Sequence, residues 1–219
     1  MLKTTATKSI FALTTIALLA GCAGPQPVAY SGLSSASYLK PNTDGPAKVP
    51  YAYTSQANWQ NYTKAIIDPV AIYQGSDNTF GTMPQADQTE LADYMQATFS
   101  KKLANRFTVT NIPDANTLRI HLTLTGAAKS TPVLSTLMHA DIAGNLYNGV
   151  QLVRGKPGAM MGSVIYSVEI YDAQSNKLLE SYVTKQYANS ENIIASFGSL
   201  TAAKTGIDKG ANALVEQLD

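Results

Sequence analysis

Between residues 118 and 125 the chain alternates strictly, with Leu118, Ile120, Leu122 and Leu124 apolar and Arg119, His121, Thr123 and Thr125 polar. A period of two places these sets on opposite sides of a strand, so the segment predicts a strand with one core face and one wet face. Ser163 to Asp172 and Lys177 to Gln186 predict two more strands around the polar turn Ala173-Gln174-Ser175-Asn176, which has hairpin length. Phe107 to Asn111 reads as a short strand. Ala65 to Tyr73 reads as a strand interrupted by Pro69, whose missing N–H confines it to an edge or a bulge. The period changes at residues 87 to 105, where Leu91, Tyr94, Met95, Thr98, Phe99 and Leu103 recur on one helical face behind Asp87 and Glu90 at capping-box spacing. A second helix is predicted from about Leu200 to Leu218, with Ala203, Ile207, Ala211, Leu214 and Leu218 inward and Lys204, Asp208, Asn212 and Glu216 outward. Gly206 and Gly210 on this helix predict close approach to a sheet. The expected fold is α+β: a two-layer sandwich, mainly antiparallel, of about five strands with two or three helices on one face.

Residues 132 to 153 carry a further stripe of Leu134, Met138, Ile142, Leu146 and Val150 at four-residue spacing, widened by Leu137 and Leu152. It reads as an amphipathic helix, broken at Gly144 or Gly149. Two interpretations stand: a third core helix, or an interaction surface ending at Arg154, which with Lys156 would meet anionic headgroups.

The first residues follow another logic. Lys3 and Lys8 precede an apolar stretch from Ser9 to Ala20, 12 residues long, where a membrane-spanning helix needs about 20. Leu19-Ala20-Gly21-Cys22 then closes the segment with the only cysteine of the chain. The arrangement resembles a bacterial lipoprotein precursor: residues 1–21 a signal peptide that is removed, Cys22 the lipidation site, and residues 22–50 an acylated tether. Ala23 after the cysteine implies, on that resemblance, sorting to the outer membrane of a Gram-negative bacterium. Residues 51–219 are then a single periplasmic domain. The stretch from 23 to about 50 contains Pro25, Pro27, Pro41, Pro46 and Pro50, yet Tyr30, Leu33, Tyr38 and Leu39 interrupt it, followed by Tyr51, Tyr53, Trp59 and Tyr62. Such an aromatic series is expected to dock back on the domain rather than form a ligand platform.

Charge excludes one class of function. The chain has 16 basic and 15 acidic groups, and cleavage removes Lys3 and Lys8, leaving 14 against 15 and no basic stripe to neutralise a nucleic acid. With Cys22 acylated no thiol remains for a disulfide, metal site or nucleophile.

Catalytic and cofactor patterns are weak. His121 lies on the polar face of its strand, and His139 has Ser135 and Asp141 nearby without a G-x-S-x-G elbow. The two histidines lack zinc-ligand spacing. Gly155-Lys156-Pro157-Gly158 does not have the phosphate-loop order. Asp68 and Glu169 could face one another on strands, where paired carboxylates can do acid and base work if their pKa values diverge, but the ordinary reading of each is a solvated or hydrogen-bonded carboxylate. No catalytic residue, cofactor or metal is assigned from these patterns.

Tyr30-Ser31-Gly32-Leu33, Tyr38-Leu39-Lys40-Pro41, Ile67-Asp68-Pro69-Val70 and Glu169-Ile170-Tyr171-Asp172-Ala173 together resemble DUF3313, a family of Gram-negative lipoproteins without an established function. The resemblance implies an envelope lipoprotein of α+β fold and brings no catalytic residues. The expected role is therefore non-enzymatic: an anchored domain that binds or scaffolds an envelope protein or glycan. Alternatives are a small-ligand or glycan-binding lipoprotein using the Tyr-rich region, and a hydrolase.

Overall fold

The alternating segment forms the longest strand of the sheet and organises its neighbours. A computed structural model describes residues 25–130, 162–188 and 198–219. In chain order these form β1 (Lys40–Pro41), β2 (Tyr51–Thr54), a 3₁₀ turn (Trp59–Asn61), β3 (Lys64–Ile67), β4 (Ala71–Ile72), α1 (Gln85–Leu103), β5 (Thr108–Val109), β6 (Thr117–Ala128), β7 (Ser163–Asp172), β8 (Leu178–Tyr187) and α2 (Thr201–Leu218).

The strands make one sheet in the order β1-β2-β8-β7-β6-β3-β5, with β4 beside β6 further along. From β1 to β6 every pairing is antiparallel, but β3 and β4 run parallel to β6, and β5 runs parallel to β3. The expected sheet of about five mainly antiparallel strands is thus too small and wrong in part of its pairing. The cause is α1. Its 19 residues advance about 28 Å at 1.5 Å per residue, carrying the chain back along the sheet, so β6 enters in the direction of β3 and β4 as in a βαβ unit.

Pro69 behaves as its chemistry requires. It lies between β3 and β4, which pair with successive parts of β6, and the interruption leaves the main chain free at the residue that cannot donate. At the other end of the sheet the β7–β8 turn is held by Asp172, whose Oδ1 accepts from Ser175 N at 2.8 Å and Ser175 Oγ at 2.7 Å, while Asn176 takes the left-handed φ of 56° that asparagine tolerates.

α1 and α2 pack on one face. Leu91, Met95, Phe99 and Leu103 of α1 and Ile207, Ala211, Leu214 and Leu218 of α2 meet Leu118, Ile120, Leu122 and Leu124 of β6 and Val164, Tyr166, Val168 and Ile170 of β7. The glycines allow this contact: a Cβ on Gly206 would lie 2.9 Å from the Gln186 carbonyl, and one on Gly210 would collide with the Tyr166 hydroxyl. The start of α1 differs from the capping-box expectation. The helix begins at Gln85 after Pro84 and has no side-chain cap. Asp87 instead pairs with Lys129, and Glu90 with Lys204 of α2 at 2.7 Å, so both carboxylates tie α1 to other elements. None of the described helices is long and apolar enough to cross a membrane.

Candidate functional site

Among the described residues, the other face of the sheet is covered by chain rather than helix. Tyr30, Leu33 and Leu39 are buried there with Tyr73, Ile165 and Val183, so the stretch beginning at residue 30 is packed as the aromatic series predicts. We call residues 30–39 the strap. Polar bonds fix it at several points: Tyr30 Oη lies 2.8 Å from Thr79 Oγ1, Ser31 N donates to Asp77 Oδ2 at 2.9 Å, and Gly32 N donates to Tyr73 Oη at 2.9 Å. Tyr73 Oη in turn donates to Asp77 Oδ1 at 2.7 Å. This donation, with that of Ser31 N, holds the Asp77 carboxyl below its ordinary pKa.

Glu169 is a buried anchor of the strap. It sits on β7 at 4% exposure, and its Oε1 accepts from Ser35 N at 2.6 Å. Ser35 Oγ lies 2.7 Å from Ser181 Oγ of β8. The Tyr171 hydroxyl also reaches Glu169 Oε1, at 3.4 Å. Burial, then the carboxylate, push the Tyr171 pKa up to about 12, so this phenol stays protonated and donating. Ser167, two residues before Glu169 on the same side of β7, has a buried hydroxyl with no hydrogen-bond partner among the described residues.

Beside the strap, an open cleft of about 460 Å³ is lined by residues that include Gly32, Ser34, Tyr73, Gln74, His121 and Glu169. The register explains its polar wall. His121 of β6 stands opposite Glu169 of β7, and Asp68, just past β3, donates its backbone N–H to Ile120 O at 3.1 Å and so comes level with His121. Asp68 Oδ2 lies 3.1 Å from His121 Nε2 and 3.2 Å from Arg119 Nε. Neither approach is aligned as a hydrogen bond, since Asp68 Oδ2 and Arg119 Nε are both buried without a hydrogen-bond partner among the described residues, so both are proximity contacts only. The His121 ring meets Tyr171 edge-on with centroids 5.2 Å apart.

Asp68 and Glu169 therefore share a face, as their strand positions suggest, and flank His121 from its two sides. Sequence reasoning treated His121 as merely solvated. The usable signal was an acidic residue directly before a strand-breaking proline, which holds its carboxylate near the neighbouring strand. An Asp–His pair is two parts of a nucleophile-activating arrangement, but among the described residues no hydroxyl is hydrogen-bonded to His121 and no group of three metal-ligating side chains occurs. A cleft with an imidazole, a buried carboxylate and a phenol on its wall can accept and donate hydrogen bonds.

The remaining sequence candidates, Leu134, Met138, His139, Ile142, Leu146, Val150 and Arg154, lie outside the described residues, as does Cys22. Of the tyrosine series, Tyr30 and Tyr73 are buried edge-to-face at 5.3 Å, and exposed Tyr38 meets Tyr53 at 5.2 Å with the rings tilted by 58°.

Several solved structures are similar. The PelC dodecamer from Paraburkholderia phytofirmans has 10% identity and a TM-score of 0.37, covering 74% of this chain and 94% of that one. A DUF330 protein from Xanthomonas campestris has 9% identity and a TM-score of 0.36 over 74% and 87%. A DUF4136 family protein from Bacteroides thetaiotaomicron has 10% identity and a TM-score of 0.37 over 79% and 98%. Likeness at this level says nothing of what the present chain binds or does. No curated protein matches the sequence. A family model described as "Protein of unknown function (DUF3313)" matches residues 29–214, from the start of the strap to the last turn of α2, and the chain belongs to that family.

Proposed function

We propose that this chain is an outer-membrane lipoprotein, held by lipid on Cys22, whose non-enzymatic periplasmic domain binds or scaffolds an envelope component. The observation that carries the reading is the distance between the lipobox and the strap. Tyr30, at 1% exposure, is already locked into the fold eight residues after Cys22. Eight extended residues reach about 28 Å, so the acyl chains and the folded unit cannot separate further than that. A domain held so close to a surface meets membrane partners at high effective concentration, and weak contacts suffice. The cleft beside His121 supports a second reading, a small polar ligand bound on the strap face. The buried state of Tyr30 and Tyr73 argues against an aromatic stacking platform for glycans.

Cys22→Ser tests the anchor. Metabolic labelling with palmitate and membrane fractionation are expected to show an unlabelled, uncleaved precursor. Normal processing and unchanged recovery in the outer membrane would sink the proposal.

A further inference from the structure

Lysines gather where the chain enters the fold. Lys185 Nζ donates to the Pro25 carbonyl at 2.7 Å, and its backbone N–H donates to the Lys48 carbonyl at 2.8 Å. Thr184 Oγ1 donates to the same Lys48 oxygen at 3.0 Å. Lys209 Nζ from α2 reaches the Tyr187 carbonyl at 3.2 Å. Burial first, and then the charge of Lys48, hold the Lys209 ammonium below its usual pKa, which is the effect of cations placed near one another. Neither Lys48 nor Lys185 joins an ion pair among the described residues. Acids are paired at both ends of the sheet: Asp114 with Lys64 and Asp219 with Arg106 at the far end, Asp87 with Lys129 and Glu90 with Lys204 at this one, which leaves Lys48 and Lys185 as cations outside those pairs.

The position of Pro25 says which surface these lysines meet. Cys22 is three residues upstream, a reach of about 10 Å. The ten residues of β8 place the β7–β8 turn roughly 33 Å further away at 3.3 Å per residue. We propose that the end of the sheet marked by Lys48, Lys185 and Lys209 faces the membrane and binds the phosphates of anionic phospholipid headgroups. The proposal rests on lipidation at Cys22. It adds a defined orientation: the lipid secures the chain, and the lysines set which end of the domain lies against the bilayer, with the β7–β8 turn directed away from it. Attraction between basic groups and an anionic leaflet decays over a Debye length of about 8 Å, comparable to the tether reach at this end and far shorter than the distance to the far turn.

The experiment uses the full acylated protein reconstituted in vesicles of phosphatidylcholine, with or without phosphatidylglycerol. Ala47→Cys and Gln174→Cys, both at exposed positions, each carry a donor fluorophore, and an acceptor sits on the lipid headgroups. In phosphatidylglycerol vesicles, transfer from position 47 is expected to exceed that from position 174 severalfold. The ratio should shrink when phosphatidylglycerol is omitted and when Lys48→Glu is introduced. Equal transfer from the two positions, or greater transfer from 174, overturns the orientation. A ratio indifferent to both phosphatidylglycerol and Lys48→Glu overturns headgroup binding, because the short tether alone would then orient the domain. Failure to float with neutral vesicles is a separate result that removes the anchor and this proposal with it.

Discussion

The two faces of the sheet are covered by different physics. On the helix face, the alternating leucines of β6 and the apolar positions of β7 meet Leu91, Met95, Phe99 and Leu214 in a continuous apolar layer. On the strap face, six buried residues form a smaller cluster, and the strap is held by a series of directed bonds ending at Glu169 and Ser181. Apolar burial is non-directional and sums over area. Hydrogen bonds contribute less each but fail when their geometry shifts by a few tenths of an ångström. The first face therefore supplies most of the stability, whereas the second fixes where each strap residue sits and is the easier one to open locally.

The largest test of this contrast is Phe99→Ala, which empties a fully buried site against Tyr166, where the rings meet at 5.7 Å. A loss of about 3–5 kcal/mol is expected in urea unfolding. Glu169→Ala attacks the strap face instead, leaving Ser35 N–H without its acceptor. The expected loss is about 1–3 kcal/mol, accompanied by faster hydrogen exchange at the strap amides and unchanged exchange in β6. A global loss equal to that of Phe99→Ala, with β6 equally exposed, would erase the distinction between the faces.

Tyr30→Phe sharpens the comparison further, since it removes the bond to Thr79 and keeps the ring. About 1 kcal/mol is expected. The smallest effect concerns Asp77. Its folded pKa lies below the ordinary 3.8 because Tyr73 and Ser31 donate to the carboxylate, so the unfolded chain binds protons more readily than the folded one. Its contribution is present above the unfolded pKa and is lost as the pH falls through the folded value. Urea midpoints measured below pH 4 should fall slightly more steeply for the native protein than for Asp77→Asn. Parallel curves would show that this latch is too well solvated to matter.

The helix face was the more legible one for the same reason that it is stable. Strict alternation in β6 and the helical spacing of Leu91, Met95, Phe99 and Leu103 are written in residue types, and Gly206 and Gly210 announced the closeness of α2. Strand direction is not written that way. The period of Ala65 to Ile72 is the same whether β6 runs with it or against it, and only the passage through α1 decides. The Asp68–His121–Glu169 arrangement was half legible. That the two carboxylates could face one another was readable, but His121 acquires its neighbours only when a parallel and an antiparallel register meet on β6. The start of α1 was misread because Asp87 and Glu90 have capping-box spacing while their carboxylates serve lysines distant in sequence.

β1 has a consequence for self-association. It is a strand of two exposed residues, Lys40 and Pro41, and among the described residues it pairs only with β2, which makes it an edge there. A second molecule adding its own strand there would face a charged side chain, a missing donor and a ladder too short to set a register. At high local concentration edges meet often, and a longer apolar rim would seed open-ended polymers. The Lys-Pro edge closes that route at one side of the sheet, so copies can be densely packed without joining through this rim.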